Sequence, residues 1–256
     1  MDYASLASGS KGNCHAIHHN GLVVLIDAGL SLRQIERRMN AIGWDARGVQ
    51  GVAITHEHND HVSALPVLVR NTNWKFLLTA PTKKAVEAKL HVVIPDTRWI
   101  PIQSGAPVLF GPWTLKPFSL PHDAVDPVAF RVECEGKSLA VITDLGHISD
   151  LVRQSCGGVE TLIIESNYDE QMLIEGEYPP DLKARILSRV GHLSNADTAD
   201  LLRTMDSSQL HRVVLAHLSE ENNHSDLARS SAMMALEHTR AKLFIADQHH
   251  PILTAV

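Results

Sequence analysis

Thr55-His56-Glu57-His58-Asn59-Asp60-His61, led by the apolar run Val52-Ala53-Ile54, decides how the rest of this chain is read. Three imidazoles and a carboxylate in so short a stretch are costly to bury unless each finds a partner. Neutral imidazole nitrogen and carboxylate oxygen suit first-row divalent metals, and a turn directly after a strand lets such side chains converge on one point. The pattern predicts a dinuclear metal site. Side chains alternate along an extended segment, so His56 and His58 are expected to clamp one ion, while Asp60 and His61, on the tighter part of the turn, reach a neighbouring one. The alternative is a polar loop whose histidines are solvated or cap the following helix. This segment alone completes neither coordination shell, so the remaining ligands must come from elsewhere in the chain.

The chain has 256 residues, 44% of them hydrophobic, enough for a sizeable core and a globular class. A formal charge of -6 excludes the global basic field that many nucleic-acid binders carry, so any phosphate binding must be local. Cys14, Cys134 and Cys156 are odd in number, widely spaced and free of any C-x-x-C pattern. That usage points to a reducing compartment and to buried or free thiols rather than a thiolate metal site. The first ten residues lack the pattern of a secretory signal, and no apolar run approaches the roughly 20 residues needed to span a bilayer. The expectation is a soluble, cytoplasmic protein without membrane association. No obligate protein partner can be deduced.

Residues 3–6 read as a strand, followed by the polar loop Ser8-Gly9-Ser10-Lys11-Gly12-Asn13. Strands at 14–17 and 22–26 flank the hairpin signal His19-Asn20-Gly21. Ser31-x-x-Gln34 reads as a capping box opening a helix whose Leu32, Ile35, Met39 and Ile42 form the core stripe, with Arg33, Arg37 and Arg38 on the solvated side. A strand at 49–54 feeds the histidine-rich turn, with a helix over 64–70 beyond it. Strands follow at 74–78 and 99–102, with a helix over 82–90 between them. Paired strands are expected at 107–110 with 113–120, and at 128–134 with 138–143. The second half predicts strands at 159–164 and 213–216, helices over 180–188, 195–205 and 225–239, and a final strand pair from Lys242 onward. Strands with helices in both halves imply an α/β fold of two sheets between helical layers. With no linker or convincing repeat, residues 1–256 read as one domain.

His122, Asp144 and His217 each lie just past a predicted strand, where fold geometry gathers side chains from distant sequence. Alone they would read as a loop histidine, a turn or helix-cap aspartate and a strand-end histidine. Together with the hexapeptide they close the arithmetic. His56, His58 and His122 are expected to hold one ion, Asp60, His61 and His217 the other, and Asp144 to bridge them. Each ion then keeps a position for a shared water, as a catalytic site requires.

In order, Asp27, the His56 to His61 motif, His122, Asp144 and His217 resemble the five motifs of the metallo-β-lactamase fold, over nearly the whole chain. More narrowly, Ser8 to Asn13, Gly191-His192-Leu193-Ser194-Asn195 and His217-Leu218-Ser219-Glu220-Glu221-Asn222-Asn223 are similar to the YycJ/WalJ-like branch. The resemblance implies a four-layer αββα sandwich of two mixed sheets flanked by helices, and a metal-dependent phosphodiesterase acting as a 5′-to-3′ DNA exonuclease. Asp27 would then orient the hexapeptide rather than bind metal. Two divalent ions would lower the pKa of a bridging water from 15.7 toward roughly 7, making hydroxide the expected nucleophile. His192 is the candidate general acid. In related tRNA-processing phosphodiesterases a histidine in this place pairs with a glutamate after a strand, and Glu165 matches that partner. Asp60 counts among both the ligands and the catalytic residues. Ser10, Lys11 and Asn13 of the polar loop, and Ser194 at a helix start, are candidate phosphate-binding residues.

The His-rich shells suit zinc, with manganese or iron fitting mixed His and carboxylate sites. Nucleic acid is the expected partner, DNA ahead of RNA. Because fold does not fix chemistry, an RNA or small cyclic phosphodiesterase, a thioester or lactam hydrolase, and last a non-catalytic metal-binding module remain as alternatives.

Overall fold

The computed structural model describes residues 1–254. In chain order the strands are β1 (Asp2–Ala7), β2 (Cys14–His19), β3 (Leu22–Ile26), β4 (Val49–Ala53), β5 (Lys75–Leu78), β6 (Trp99–Pro101), β7 (Val108–Phe110), β8 (Trp113–Ser119), β9 (Val128–Cys134), β10 (Lys137–Ile142), β11 (Thr161–Glu165), β12 (Arg212–Ala216), β13 (Lys242–Ile245) and β14 (Ile252–Thr254). The helices are α1 (Leu32–Ala41), α2 (Asn59–Val62), α3 (Leu65–Asn71), α4 (Ala80–Leu90), α5 (Asp150–Cys156), α6 (Glu170–Glu175), α7 (Pro180–Ile186), α8 (Asn195–Thr204) and α9 (Ser225–Leu236). The strands form two mixed sheets, in the orders β14-β1-β2-β3-β4-β5-β6 and β13-β12-β11-β10-β9-β8-β7.

By internal contacts the chain divides into two compact units. The first comprises Met1–Pro117, Ala124–Val128 and Asp247–Val256, and the second comprises Phe118–Asp123 and Ala129–Ala246. In the first unit β1, β2 and β3 form an antiparallel meander, and β3, β4, β5 and β6 run parallel. Ile35 and Met39 of α1, Leu65 and Leu68 of α3 and Val86 of α4 share a core with Leu25, Val52 and Phe76 from the strands. In the second unit β9 and β10 are antiparallel, and β10 to β13 run parallel. Val152 of α5, Leu201 and Leu202 of α8 and Ala228 and Ala232 of α9 pack with Ala140, Leu162 and Val213. Fully burying one such Leu or Ile side chain is worth about 1.5–3 kcal/mol, so these two cores carry the stability of the sheets.

Several local expectations hold. The reciprocal bonds of the Ser31–Gln34 capping box are both formed, and Asn20 and Gly21 take positive φ at the β2–β3 hairpin as a tight turn requires. The helix expected over 64–70 is α3, with the short helix α2 before it and Pro66 near its start. Others are corrected. Helices α5 and α6, capped by Ser149 and Asp169, are too short to show a period in the sequence. Strands β13 and β14 do not pair with each other: β13 lies parallel to β12, and β14 antiparallel to β1. Arg38, expected on the solvated side of α1, is buried at 6% exposure. Its Nη1 donates to the carbonyls of Leu6 at 2.7 Å and Gln248 at 2.9 Å, which gives the guanidinium partners inside the fold. Cys14, Cys134 and Cys156 are free and buried.

Candidate metal centre

Parallel register explains how the candidate side chains gather, because neighbouring parallel strands end on the same edge of a sheet. Ile26 of β3 lies opposite Ala53 of β4, so Asp27 and the Thr55 to His61 segment leave that edge together. In the second unit Ile142 lies opposite Ile164 and Glu165 opposite Ala216, so Asp144, Glu165 and His217 do the same. Asp27, Asp144 and His217 all take positive φ, at 64°, 61° and 53°. Non-glycine residues pay for that conformation, and three of them just past strands mark a chain turned sharply to aim its side chains.

In the first unit Asp27 is fully buried and holds the hexapeptide in place. Its carboxylate accepts from the Thr55 amide at 2.8 Å, from Thr55 Oγ1 at 2.9 and 3.0 Å, and from His61 Nδ1 at 2.8 Å. Burial pushes the Asp27 carboxyl up, and the donors from His61 and Thr55 pull against that shift without cancelling it. Thr55 Oγ1 in turn receives His56 Nδ1 at 2.9 Å. The rings of His56 and His58 are 4.5 Å apart and those of His56 and His61 are 4.2 Å apart, so the three imidazoles form one cluster. His58 stands at the N-cap of α2 but makes no side-chain capping bond, which disposes of the helix-cap reading.

The second unit is organised by Glu165, which is wholly buried. Its Oε1 receives both His192 Nδ1 and His217 Nδ1 at 2.8 Å, and its Oε2 accepts the amides of Leu145 at 2.7 Å and Leu193 at 3.2 Å. Burial alone would raise this carboxyl, but His192 and His217 outweigh it and bring the pKa down to about 2. Burial would lower His192, yet the Glu165 charge, with Asp144 behind it, raises it above its ordinary value. Asp144 Oδ1 lies 3.4 Å from His217 Nδ1 and 3.9 Å from His122 Nε2. Asp144, Glu165, His192 and His217 have potential ligand atoms within 4.8 Å of one another. With four donors already on Glu165, its role is to anchor the two histidines.

Four rings show the same construction. Nδ1 is engaged by Thr55 in His56, by Asp27 in His61, by Glu165 in His217 and, at 3.1 Å, by the Gly191 carbonyl in His122. A carboxylate, a carbonyl or, at His56, a hydroxyl oxygen whose proton is already given to Asp27 fixes the proton on Nδ1 and leaves the Nε2 lone pair as the outward donor, the arrangement that metal-binding histidines use. The donor set therefore fits divalent metal ions.

The candidate phosphate-binding residues divide. Ser10 and Lys11 are exposed at the tip of their loop. Asn13, fully buried, turns inward toward Asp60 and His61. Ser194 is also buried, and its hydroxyl caps α8, accepting the Asp197 amide at 3.0 Å and donating to Asp197 Oδ2 at 2.8 Å. Sequence reasoning gave no role to Asn167, Asn195 or Asn223. Asn167 Nδ2 donates to the His217 carbonyl at 2.7 Å, holding that residue's positive φ. Asn223 Nδ2 donates to the Ser166 and Asn167 carbonyls, and Asn195 Nδ2 to Asn223 Oδ1. The signal was the asparagine content of the Gly191 to Asn195 and His217 to Asn223 stretches.

Histidines and aspartates delivered by parallel strand ends, with Nδ1 anchored and an imidazole–carboxylate pair beside them, are the construction of a metal-dependent hydrolase. The chain belongs to the metallo-β-lactamase superfamily: the model of the "Beta-lactamase superfamily domain" matches residues 23–218. It is 34% identical over 237 residues to Exodeoxyribonuclease YycJ of Bacillus anthracis, covering 93% of this chain and 89% of that protein. Exodeoxyribonuclease WalJ of Streptococcus pneumoniae serotype 2 is 34% identical over 236 residues, covering 91% and 87%. These similarities place the chain in the YycJ/WalJ-like branch. Zn2+-bound PqqB from Methylobacterium extorquens superposes with a TM-score of 0.73 over the full length of both chains at 15% identity, a likeness of fold alone.

Proposed function

We propose that this protein is a DNA exonuclease that hydrolyses phosphodiester bonds in the 5′-to-3′ direction and holds two divalent metal ions. His56, His58 and His122 would hold one ion, Asp60, His61 and His217 the other, and Asp144 would join them. Zinc suits these shells, and manganese or iron fit the mixed donors. When bound, the ions would lower the pKa of a water toward neutrality and offset the charge of the phosphate.

The observation that carries the reading is the Glu165 carboxylate shared by His192 and His217. Hydrolysis of a phosphodiester breaks a P–O bond and expels an alkoxide, which needs a proton. His192 offers one: Glu165 fixes Nδ1–H and favours the imidazolium, so Nε2–H is the group that can be donated. The same carboxylate orients His217, which couples the proton donor to the ligand set. Ser10 and Lys11, exposed on the polar loop, offer phosphate contacts without a global positive field. The 34% identity to proteins named exodeoxyribonucleases supports DNA over the other substrates that this fold serves.

The test is turnover by metal-reconstituted protein on duplex DNA labelled at the 5′ or the 3′ end, beside RNA, a generic phosphodiester, a thioester and a lactam. The expected result is metal-dependent release of mononucleotides from the 5′ end of DNA. Faster turnover of RNA, the thioester or the lactam would overturn the assignment.

A further inference from the structure

The loop Ser8 to Asn13 and its neighbours are built more firmly than a phosphate-contacting turn requires. Asn13 binds Asp60 twice. Its backbone amide donates to the Asp60 carbonyl at 2.7 Å, and its Nδ2 lies 3.1 Å from Asp60 Oδ2. The same Nδ2 is 3.1 Å from His61 Nε2 and 3.2 Å from the Gly9 carbonyl. Asn13 Oδ1 accepts the Gly9 amide at 2.9 Å, which fixes the orientation of the side-chain amide.

The loop is braced from behind. Gln248 Oε1 accepts the Lys11 amide at 2.9 Å, Gln248 Nε2 donates to the Gly12 carbonyl at 3.0 Å, and the Gln248 carbonyl is itself held by buried Arg38. The Gly29 amide donates to the Asn13 carbonyl at 2.9 Å, so the residue is fixed from the strand β3 side as well.

The proton count gives this arrangement a purpose. A carboxamide nitrogen carries two hydrogens, whereas Nδ2 faces three acceptors: Gly9 O, Asp60 Oδ2 and His61 Nε2. His61 Nδ1 donates to Asp27, so Nε2 holds a lone pair. A cation on Nε2 would take up that lone pair, and the two amide hydrogens would then satisfy Gly9 O and Asp60 Oδ2. We infer that Asn13 is a positioning residue for the metal pair Asp60–His61, holding the Asp60 carboxylate in the orientation that a cation needs. The inference rests on the two-metal reading above, and it does not depend on DNA being the substrate.

The experiment is an equilibrium zinc titration of the full-length wild-type protein and of Asn13→Ala, with near-ultraviolet circular dichroism to confirm the fold, followed by DNA turnover at limiting and at excess zinc. The wild type should take up two equivalents. In the variant one equivalent should weaken by about 10–100-fold, the span seen when groups behind metal ligands are removed, while the other keeps its affinity. Excess zinc should restore kcat, with KM for DNA unchanged, which a general loss of structure would not permit. Retention of both affinities with a raised KM would overturn the inference and make Asn13 a substrate contact. Should Asn13→Ala not fold, Asn13→Ser, whose hydroxyl is too short to reach Asp60, is read by the same two outcomes. Two tight equivalents in the wild type with no cleavage of DNA would defeat the nuclease reading and leave the role of Asn13 standing.

Discussion

Glu165 and Asp144 divide the electrostatic work among neighbouring side chains. Glu165 spends all its acceptor capacity inside the fold, whereas Asp144, at φ 61°, is aimed by its backbone. Asparagine tolerates that backbone well, so Asp144→Asn removes charge with little change of shape. It should lose metal and activity together, measured as zinc content and turnover of the same sample; full activity with both ions retained would refute the bridging role. His192→Ala should keep its metal and lose about 10²–10⁴-fold in kcat, the usual span for a general acid. Because Glu165 raises the His192 pKa, the proton donor stays charged above its ordinary range and kcat should fall only as pH rises through the raised value. Glu165→Gln removes the charge, so the alkaline limb of the kcat profile should move to lower pH. An unmoved limb would separate His192 from the proton transfer.

Elements are less legible in the sequence than the clustered histidines, for a physical reason. Histidines after apolar runs are visible because few other patterns concentrate imidazole, and strands β3, β4, β10, β11 and β12 are apolar enough to be seen. The one-turn helix α2 and the short α5 and α6 carry no period. The partners of β13 and β14 depend on long-range register, and the burial of Arg38 depends on carbonyls from distant segments. The inward turns of Asn13 and Ser194 were equally hidden, since a small polar residue in a loop reads alike whether it faces ligand or fold. Gly29 belongs to this scale: a Cβ there would collide with the Asp60 carbonyl oxygen. Gly29→Ala should push the α2 turn away from β3, costing about 1–3 kcal/mol or more by overpacking. Denaturant unfolding of the metal-free protein should show that loss, and zinc binding should weaken with it. Unchanged stability would mean that the turn is free to shift.

At the scale of the whole molecule, each compact unit is assembled from separated stretches, with residues 124–128 and the segment from Asp247 belonging to the first unit. The first unit cannot complete itself until the second unit's chain has been made. We propose that heating unfolds the protein in a single calorimetric transition and that zinc at about 100 times its dissociation constant adds about 2.7 kcal/mol. Two separate transitions would contradict the one-domain reading. Among the described residues no helix is long and apolar enough to cross a membrane.

Anomalous diffraction at the zinc edge, from crystals grown with the metal, tests the two-ion centre most directly. Two peaks are expected, one about 2.0–2.2 Å from Nε2 of His56, His58 and His122, the other at the same range from Asp60 and Nε2 of His61 and His217, with Asp144 touching both. A lone peak, or one bound by Glu165 in place of Asp60, would contradict that arrangement.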